Sequence, residues 1–471
     1  MGSSTSKTQQ ARSPPASAMS ADNSHGASVA ALELSSALSE TLSEIDLSGG
    51  LNEQLRQLLH RLDQEASKYT NSKVSDDAST EWNPPQAEVQ LISAAWKCAR
   101  GTYDLESSIA DTSYCTFHNQ QVLEHSLTGT VKAITSTSVE PAIDSEATHE
   151  LLPVLMIAIR GSASKMDHIV NANSRSKATE GFIHPAFLSQ PNLQAHSGFL
   201  NSAWALDSIV TDQVNKHVES FNRDNGQQPH ILFTGHSAGG AVAQLLYLGH
   251  IANKDLGEWS KYNPSVERLD LYHKGDSSRF SCVTFGAPPC VTAHVDLSLY
   301  QPSGNTLCVN IINEFDVVTR ADKPYILSMV DLARAMLDLP PNASVLAHET
   351  DDEIVGAALE ATHDKESKLI SRLSRPHEKN VHVEDANVWR LPRPFYHHVG
   401  HEVVLLLRLL EGRMALRAVE MMPTDFQKLL FCRVAVHGKR CYGERIEALE
   451  QGHFNGRLGW ESDKHHKAKS P

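Results

Sequence analysis

The stretch His230-Ile231-Leu232-Phe233-Thr234-Gly235-His236-Ser237-Ala238-Gly239-Gly240 decides how this chain is read. Residues 230–234 form an apolar run of the kind found in a strand buried on both faces of a mostly parallel sheet. From Gly240 to Ile251 the apolar residues follow a helical pattern. Gly235-His236-Ser237-Ala238-Gly239 is the only G-x-S-x-G in the chain, and it joins that strand to that helix. The join requires a sharp, strained turn, in which Gly235 and Gly239 lack the β-carbons that would collide with strand and helix. Ser237 is then held up and exposed as the candidate nucleophile. The helix behind it points N–H groups and its positive dipole at the place where negative charge develops, which makes Ala238 N–H one candidate oxyanion donor.

Outward from this turn, residues 153–159 (PVLMIAI), 281–285 and 307–312 read as further buried strands. Helical patterns around 199–218 and 240–251 lie between them. Strand, helix and strand alternate, so the predicted fold class is α/β, an α/β-hydrolase fold with a mostly parallel central sheet and helices on both faces. Residues 402–407 and 414–419 around Glu411-Gly412 read as a hairpin closing that sheet.

The domain plan has several parts. Residues 1–28 are Ser/Ala-rich and aromatic-free, a composition expected to stay disordered. Residues 29–68 form an amphipathic helical extension of two helices, with apolar stripes through Leu34, Leu38, Leu42 and Ile45, then Leu51, Leu55, Leu58, Leu59 and Leu62. Such stripes dock on the main domain, on a second copy or on a membrane surface. Residues 69–83 read as a linker and 84–455 as the catalytic domain, with an insertion at 323–394 that opens on a helix and turns polar and acidic. Residues 456–471 form a basic tail.

A serine nucleophile needs a base and a carboxylate that holds the imidazole tautomer, and in this strand-turn-helix context the chain order is Ser, Asp, His. Asp316 follows the apolar strand 307–312 and falls on the same rim of the sheet as the turn. It is the candidate acid, with Asp322 and Glu314 as weaker substitutes. His397, His398, His401 and His437 all follow it and are candidates for the base.

Together these segments resemble the fungal-type class 3 lipases. The resemblance runs over roughly 96–449 and rests on Ile159-Arg160-Gly161-Ser162, Ala195-His196-Ser197-Gly198-Phe199, Thr234 to Gly240, Val283-Thr284-Phe285-Gly286-Ala287-Pro288 and Asn313-Glu314-Phe315-Asp316-Val317-Val318. It implies that Ser162 supplies the second oxyanion donor and that residues 165–173 form a lid. Where that lid normally carries Trp this chain has His168, and Asn171 stands where the family has Asp or Asn. The family's catalytic His lies on a late loop a few residues before a Tyr and a terminal helix, which favours His437 in Val436-His437-Gly438-Lys439-Arg440-Cys441-Tyr442, with His398 as the alternative base. The implied activity is that of a serine carboxylic-ester hydrolase, a lipase cleaving acylglycerol esters through a Ser-Asp-His triad. Alternatives are a phospholipase acting on glycerophospholipids and a catalytically silent lipase-like scaffold. Neither a cofactor nor a metal is expected.

Composition narrows the setting. The formal charge of −14 and the lack of a basic run in the central chain argue against nucleic acid as a partner. Seven dispersed cysteines without CxxC or zinc spacing read as reduced thiols. The polar start lacks a secretory core, so a cytoplasmic location is expected. No apolar run reaches the ~18 residues of a membrane span. Met1-Gly2-Ser3-Ser4-Thr5-Ser6 fits an N-myristoylation site at Gly2, and one acyl chain gives only peripheral, reversible membrane contact.

Overall fold

The computed structural model describes residues 51–76, 80–124, 133–143, 151–161, 175–183, 193–225, 230–251, 280–297, 306–338, 387–410 and 412–460. The expected disordered start, the first helix of the extension, the acidic part of the insertion and the basic cluster of the tail lie outside these residues.

In chain order the elements are α1 (Leu51–Ala66), β1 (Thr80–Glu81), α2 (Gln86–Gly101), β2 (Cys115–Glu124), β3 (Ala133–Pro141) and β4 (Val154–Arg160). The short strands β5 (Ser176–Ala178) and β6 (Gln194–His196) lead into α3 (Ser197–Asn225), β7 (His230–His236), α4 (Ala238–Ile251) and β8 (Phe280–Phe285). The chain closes with β9 (Cys308–Asn313), α5 (Lys323–Met336), β10 (His401–Leu410), β11 (Arg413–Met421) and α6 (Lys439–Glu450).

Nine strands make one sheet in the order β1-β11-β10-β9-β8-β7-β4-β3-β2. Its centre, from β4 through β7, β8 and β9 to β10, is parallel. The flanks are antiparallel on both sides. This mixed, mostly parallel sheet is the α/β-hydrolase arrangement. Every residue of β7, β8 and β9 is buried, because helices cover both faces of the centre, and this is why those strands read as continuous apolar runs.

Alternation along β7 sorts the core into two layers. Ile231 and Phe233 pack with residues of α3 and α4, including Leu200, Val214, Val242 and Leu246. Leu232, facing the other way, joins Ile92 and Trp96 of α2 and Tyr442 and Ile446 of α6. The expected hairpin is present as β10 and β11, paired antiparallel from Glu402↔Met421 to Leu410↔Arg413. Its turn passes through Gly412 at φ +76°, a conformation without steric cost only for glycine.

Of the expected linker, residues 69–76 and 80–83 are tied down rather than open. The Asn71 side chain donates to the carbonyls of Trp389 and Lys428 and accepts from Trp389 N–H, while its own carbonyl accepts from Leu430 N–H. Val74 is buried beside Val404 and Val419, and β1 adds an edge strand to β11. The folded unit therefore begins before residue 84. A short polar stretch hides this, because its partners are backbone groups hundreds of residues away. At the other end Trp460 donates to Glu450 O and packs edge-on against Phe454.

The expected insertion also opens on core structure. α5 buries Tyr325, Ile326, Met329, Leu332 and Ala333 against Leu58, Leu62 and Ala66 of α1. Docking on the main domain thus covers Leu58, Leu62 and Ala66 of α1. Arg433 adds a 2.9 Å ion pair to Asp63 of the same helix. Replacing Leu62 by Ala is expected to destabilise the protein by ~2–4 kcal/mol in urea unfolding, the cost of a large-to-small change in a packed core. A loss under about 0.5 kcal/mol would contradict the docking of α1.

Candidate active site

The turn between β7 and α4 is built by backbone contact. A β-carbon on Gly235 would lie 2.5 Å from Gly239 C, and one on Gly239 would collide with Ile159 O of β4. No other residue type permits this approach, which seats the start of α4 directly on β4. Ser237 itself has φ +63°, the strain expected of a nucleophile elbow. Its N–H donates to Phe285 O at 2.9 Å, which ties the turn to β8. Ala238 opens α4, and a first-turn N–H has no acceptor within its own helix.

Ser237 Oγ lies 2.8 Å from His437 Nε2, and His437 Nδ1 lies 2.9 Å from Asp316 Oδ2. All three residues are at most 3% exposed. The hydrogen-bond pattern assigns the tautomer: Nδ1–H donates to the carboxylate, leaving Nε2 to accept from the serine hydroxyl. Asp316 stands just beyond β9, as expected for a carboxylate on the C-terminal rim. Its Oδ1 accepts from Val318 N–H at 3.0 Å, and Thr319 Oγ1 donates to its carbonyl at 2.7 Å. His437 sits on a single turn (Ala435–His437) immediately ahead of α6.

Several supporting residues were not singled out as site residues from the sequence. Tyr442 OH donates to Asp316 Oδ2 at 2.7 Å and accepts from Asn313 N–H at 3.0 Å. Burial, and then the neighbouring Asp316, push the Tyr442 phenol up, so it stays a donor. Asn313 Nδ2 holds Val436 O, the carbonyl just before His437. His437 also stacks on His236 at 4.8 Å between ring centroids, and His236 Nε2 lies 3.0 Å from His437 O. On the other side of His236, Tyr103 OH lies 3.1 Å from Nδ1. The available signal was an aromatic residue five positions after a candidate His; nothing local marked Asn313 or Tyr103.

The remaining candidates lie elsewhere. His398 is buried, with Nε2 2.9 Å from Thr319 O, and holds the turn that carries Asp316 instead of meeting Ser237. Glu314 is bidentate with Arg408 at 2.6 and 2.9 Å, and Asp322 caps α5 by accepting from Tyr325 N–H. His397 bonds Gln427, and His401 faces Glu420. Ser162 and the lid stretch 165–173 fall outside the described residues. Among the described residues no group of His, Cys, Asp and Glu could hold a metal.

With a strained serine at a strand-to-helix turn, a buried imidazole and a buried carboxylate on one rim, the site is that of the α/β-hydrolase class. Residues 156–325 match the family model described as Lipase (class 3), a match that makes the chain a carboxylic ester hydrolase. Among solved structures it is similar to the native Rhizomucor miehei lipase propeptide complex (14% identity, TM-score 0.40, covering 79% of this chain and 91% of that one). It is also similar to a lipase from Rhizopus microsporus var. chinensis (14%, TM-score 0.34, 54% and 74%). A third is lipase II from Rhizopus niveus (16%, TM-score 0.32, 50% and 76%). No curated protein matches the chain in sequence.

Two further buried titratable groups, Glu402 and His398, lie outside the triad. Burial pushes the Glu402 carboxyl up to about 8 and lowers the His398 imidazole to about 4. Glu402 Oε2 and His398 Nδ1 have no hydrogen-bond partner. For Glu402 the raised value means that its contribution to stability is complete below the ordinary 4.5 and is lost as pH climbs to about 8. For His398 the depressed value means loss as pH falls from 6.5 to about 4. Glu402→Gln is therefore expected to be more stable than wild type at pH 8, by an advantage that shrinks toward pH 4.5 at up to ~1.4 kcal/mol per pH unit. Denaturant titrations at several pH values check this, and a pH-independent difference would contradict it.

Proposed function

We propose that this enzyme cleaves acylglycerol esters with Ser237 as nucleophile, His437 as general base and Asp316 as the carboxylate that orients it. The observation that carries the reading is the buried hydrogen-bonded line from Ser237 Oγ through His437 to Asp316 Oδ2. His437 Nε2 takes the hydroxyl proton as Oγ adds to the ester carbonyl. Asp316, held in place by the Tyr442 hydroxyl, stabilises the imidazolium that results. The backbone N–H groups of Ala238 and Ser162 hold the tetrahedral oxyanion. Collapse transfers the His437 proton to the departing alkoxide and leaves an acyl-Ser237. Water, deprotonated by the same imidazole, then releases the acid and restores the hydroxyl. No step calls for a metal or an organic cofactor.

A lipid substrate requires contact with an aggregate surface. No helix among the described residues is long and apolar enough to cross a membrane. We take that contact to be peripheral.

A fluorophosphonate probe is expected to label the wild-type protein and not Ser237→Ala. A catalytically silent scaffold would give no labelling of folded protein. Ser237→Ala and His437→Ala should each lower ester hydrolysis by at least about a thousandfold, the scale seen when a triad member is removed. His398→Ala, which lacks contact with Ser237, should keep the label. Full activity in His437→Ala, or labelling that survives Ser237→Ala, would overturn the assignment.

A further inference from the structure

Three cations gather where the loops of the site meet. Arg160 ends β4 one residue before Gly161, Lys439 opens α6 two residues after His437, and Arg100 lies in the last turn of α2. Arg160 Cζ stands 5.3 Å and Lys439 Nζ 4.2 Å from the centroid of the Tyr103 ring. That places the two charges within about one Debye length of each other. Tyr103 in turn contacts the elbow through its hydroxyl and His236 Nδ1. Arg100 reaches the same helix start, with Nη1 3.9 Å from where a β-carbon on Gly443 would be.

No carboxylate pairs with Arg100, Arg160 or Lys439 among the described residues, whereas other arginines at the sheet edge, such as Arg408 and Arg417, do form ion pairs. Arg160 Nε is buried without a hydrogen-bond acceptor. Tyr103 is no counter-ion, because burial pushes its phenol up to about 12. Asp104, the acidic neighbour, attracts Lys439 but forms no ion pair with it, and accepts from Ser107 Oγ at 2.6 Å. The Lys439 ammonium is lowered by burial and then by Arg160 and Arg100. Holding like charges together beside a buried wall is unfavourable unless an anion sits among them. In a chain of net charge −14 this local excess of positive charge is the reverse of the background.

We propose that Arg160, Lys439 and Arg100 form a subsite for a phosphate group, so that the substrate class includes glycerol esters carrying a phosphate headgroup. This rests on the ester-hydrolase reading above. The phosphate accepts charge-assisted hydrogen bonds from the three cations while the acyl ester lies at Ser237. The anion also explains why a guanidinium and an ammonium share one tyrosine ring without a carboxylate.

The test compares two short-chain substrates of equal acyl length, a neutral diacylglycerol and the matching phosphatidic acid. Both are assayed with wild type, the double variant Lys439→Gln/Arg100→Gln and the charge-preserving Lys439→Arg. The ratio of kcat/KM for the anionic over the neutral ester is expected to fall about tenfold or more in the double variant, mainly through KM, and to be kept in Lys439→Arg. The same ratio should fall with added salt in wild type only. Inorganic phosphate distinguishes the source of the anion: competition lost in the double variant shows that the phosphate group alone suffices, and a fallen ratio without competition assigns the site to the lipid headgroup. An unchanged ratio, or an equal loss on both esters, overturns the proposal. Absence of hydrolysis of either ester by wild type would count instead against the ester-hydrolase reading.

Discussion

The close backbone approach at Gly239 is the constraint on which the rest of the site depends. With no β-carbon there, the start of α4 rests on Ile159 O of β4, and Gly235 lets β7 fold back against the same helix. Ser237 is forced to φ +63° between them. That strain is held because β4, β7 and β8 are buried parallel neighbours whose register cannot slip without turning core side chains outward. The strength of the sheet centre is thus what keeps Ser237 in an unfavourable backbone conformation.

Around the nucleophile, the polar groups are satisfied in a linked set. Asp316 accepts from His437, Tyr442 and Val318, and Asn313 joins Tyr442 to the His437 turn. Each bond immobilises a group that the next one needs, so the imidazole is oriented before any substrate arrives. A second network fixes the far side of the sheet. Gln244 of α4 donates to Asn310 of β9 and accepts from Val399 N–H, while Asn310 donates to Val399 O. It anchors the 397–400 segment, and with it His398 beneath the turn that carries Asp316.

Electrostatics divide the molecule in a useful way. Carboxylates and guanidiniums pair at the β10–β11 edge, where Arg408 bridges Glu314 and Asp76 and donates to Val74 O. Around the Tyr103 ring, Arg160 and Lys439 stand without such partners among the described residues. One edge is thereby neutral and structural, and the other keeps a positive field next to the reacting centre.

Much of this was legible in the amino-acid sequence. The only G-x-S-x-G between an apolar strand and a helix specified Ser237, and continuous apolar runs specified the buried parallel strands, because both are local requirements of sterics and burial. Asp316 was legible from its place beyond a strand. Among several late histidines, residue order alone left His437 and His398 open, and the packing of α6 against α2 put the first 2.8 Å from Ser237 and the second under Thr319. The roles of Asn71, Asn313, Tyr442 and Tyr103 were set only by tertiary structure. Their partners are distant backbone and side-chain atoms, and long-range hydrogen bonding leaves no periodicity in the chain for a reader to find.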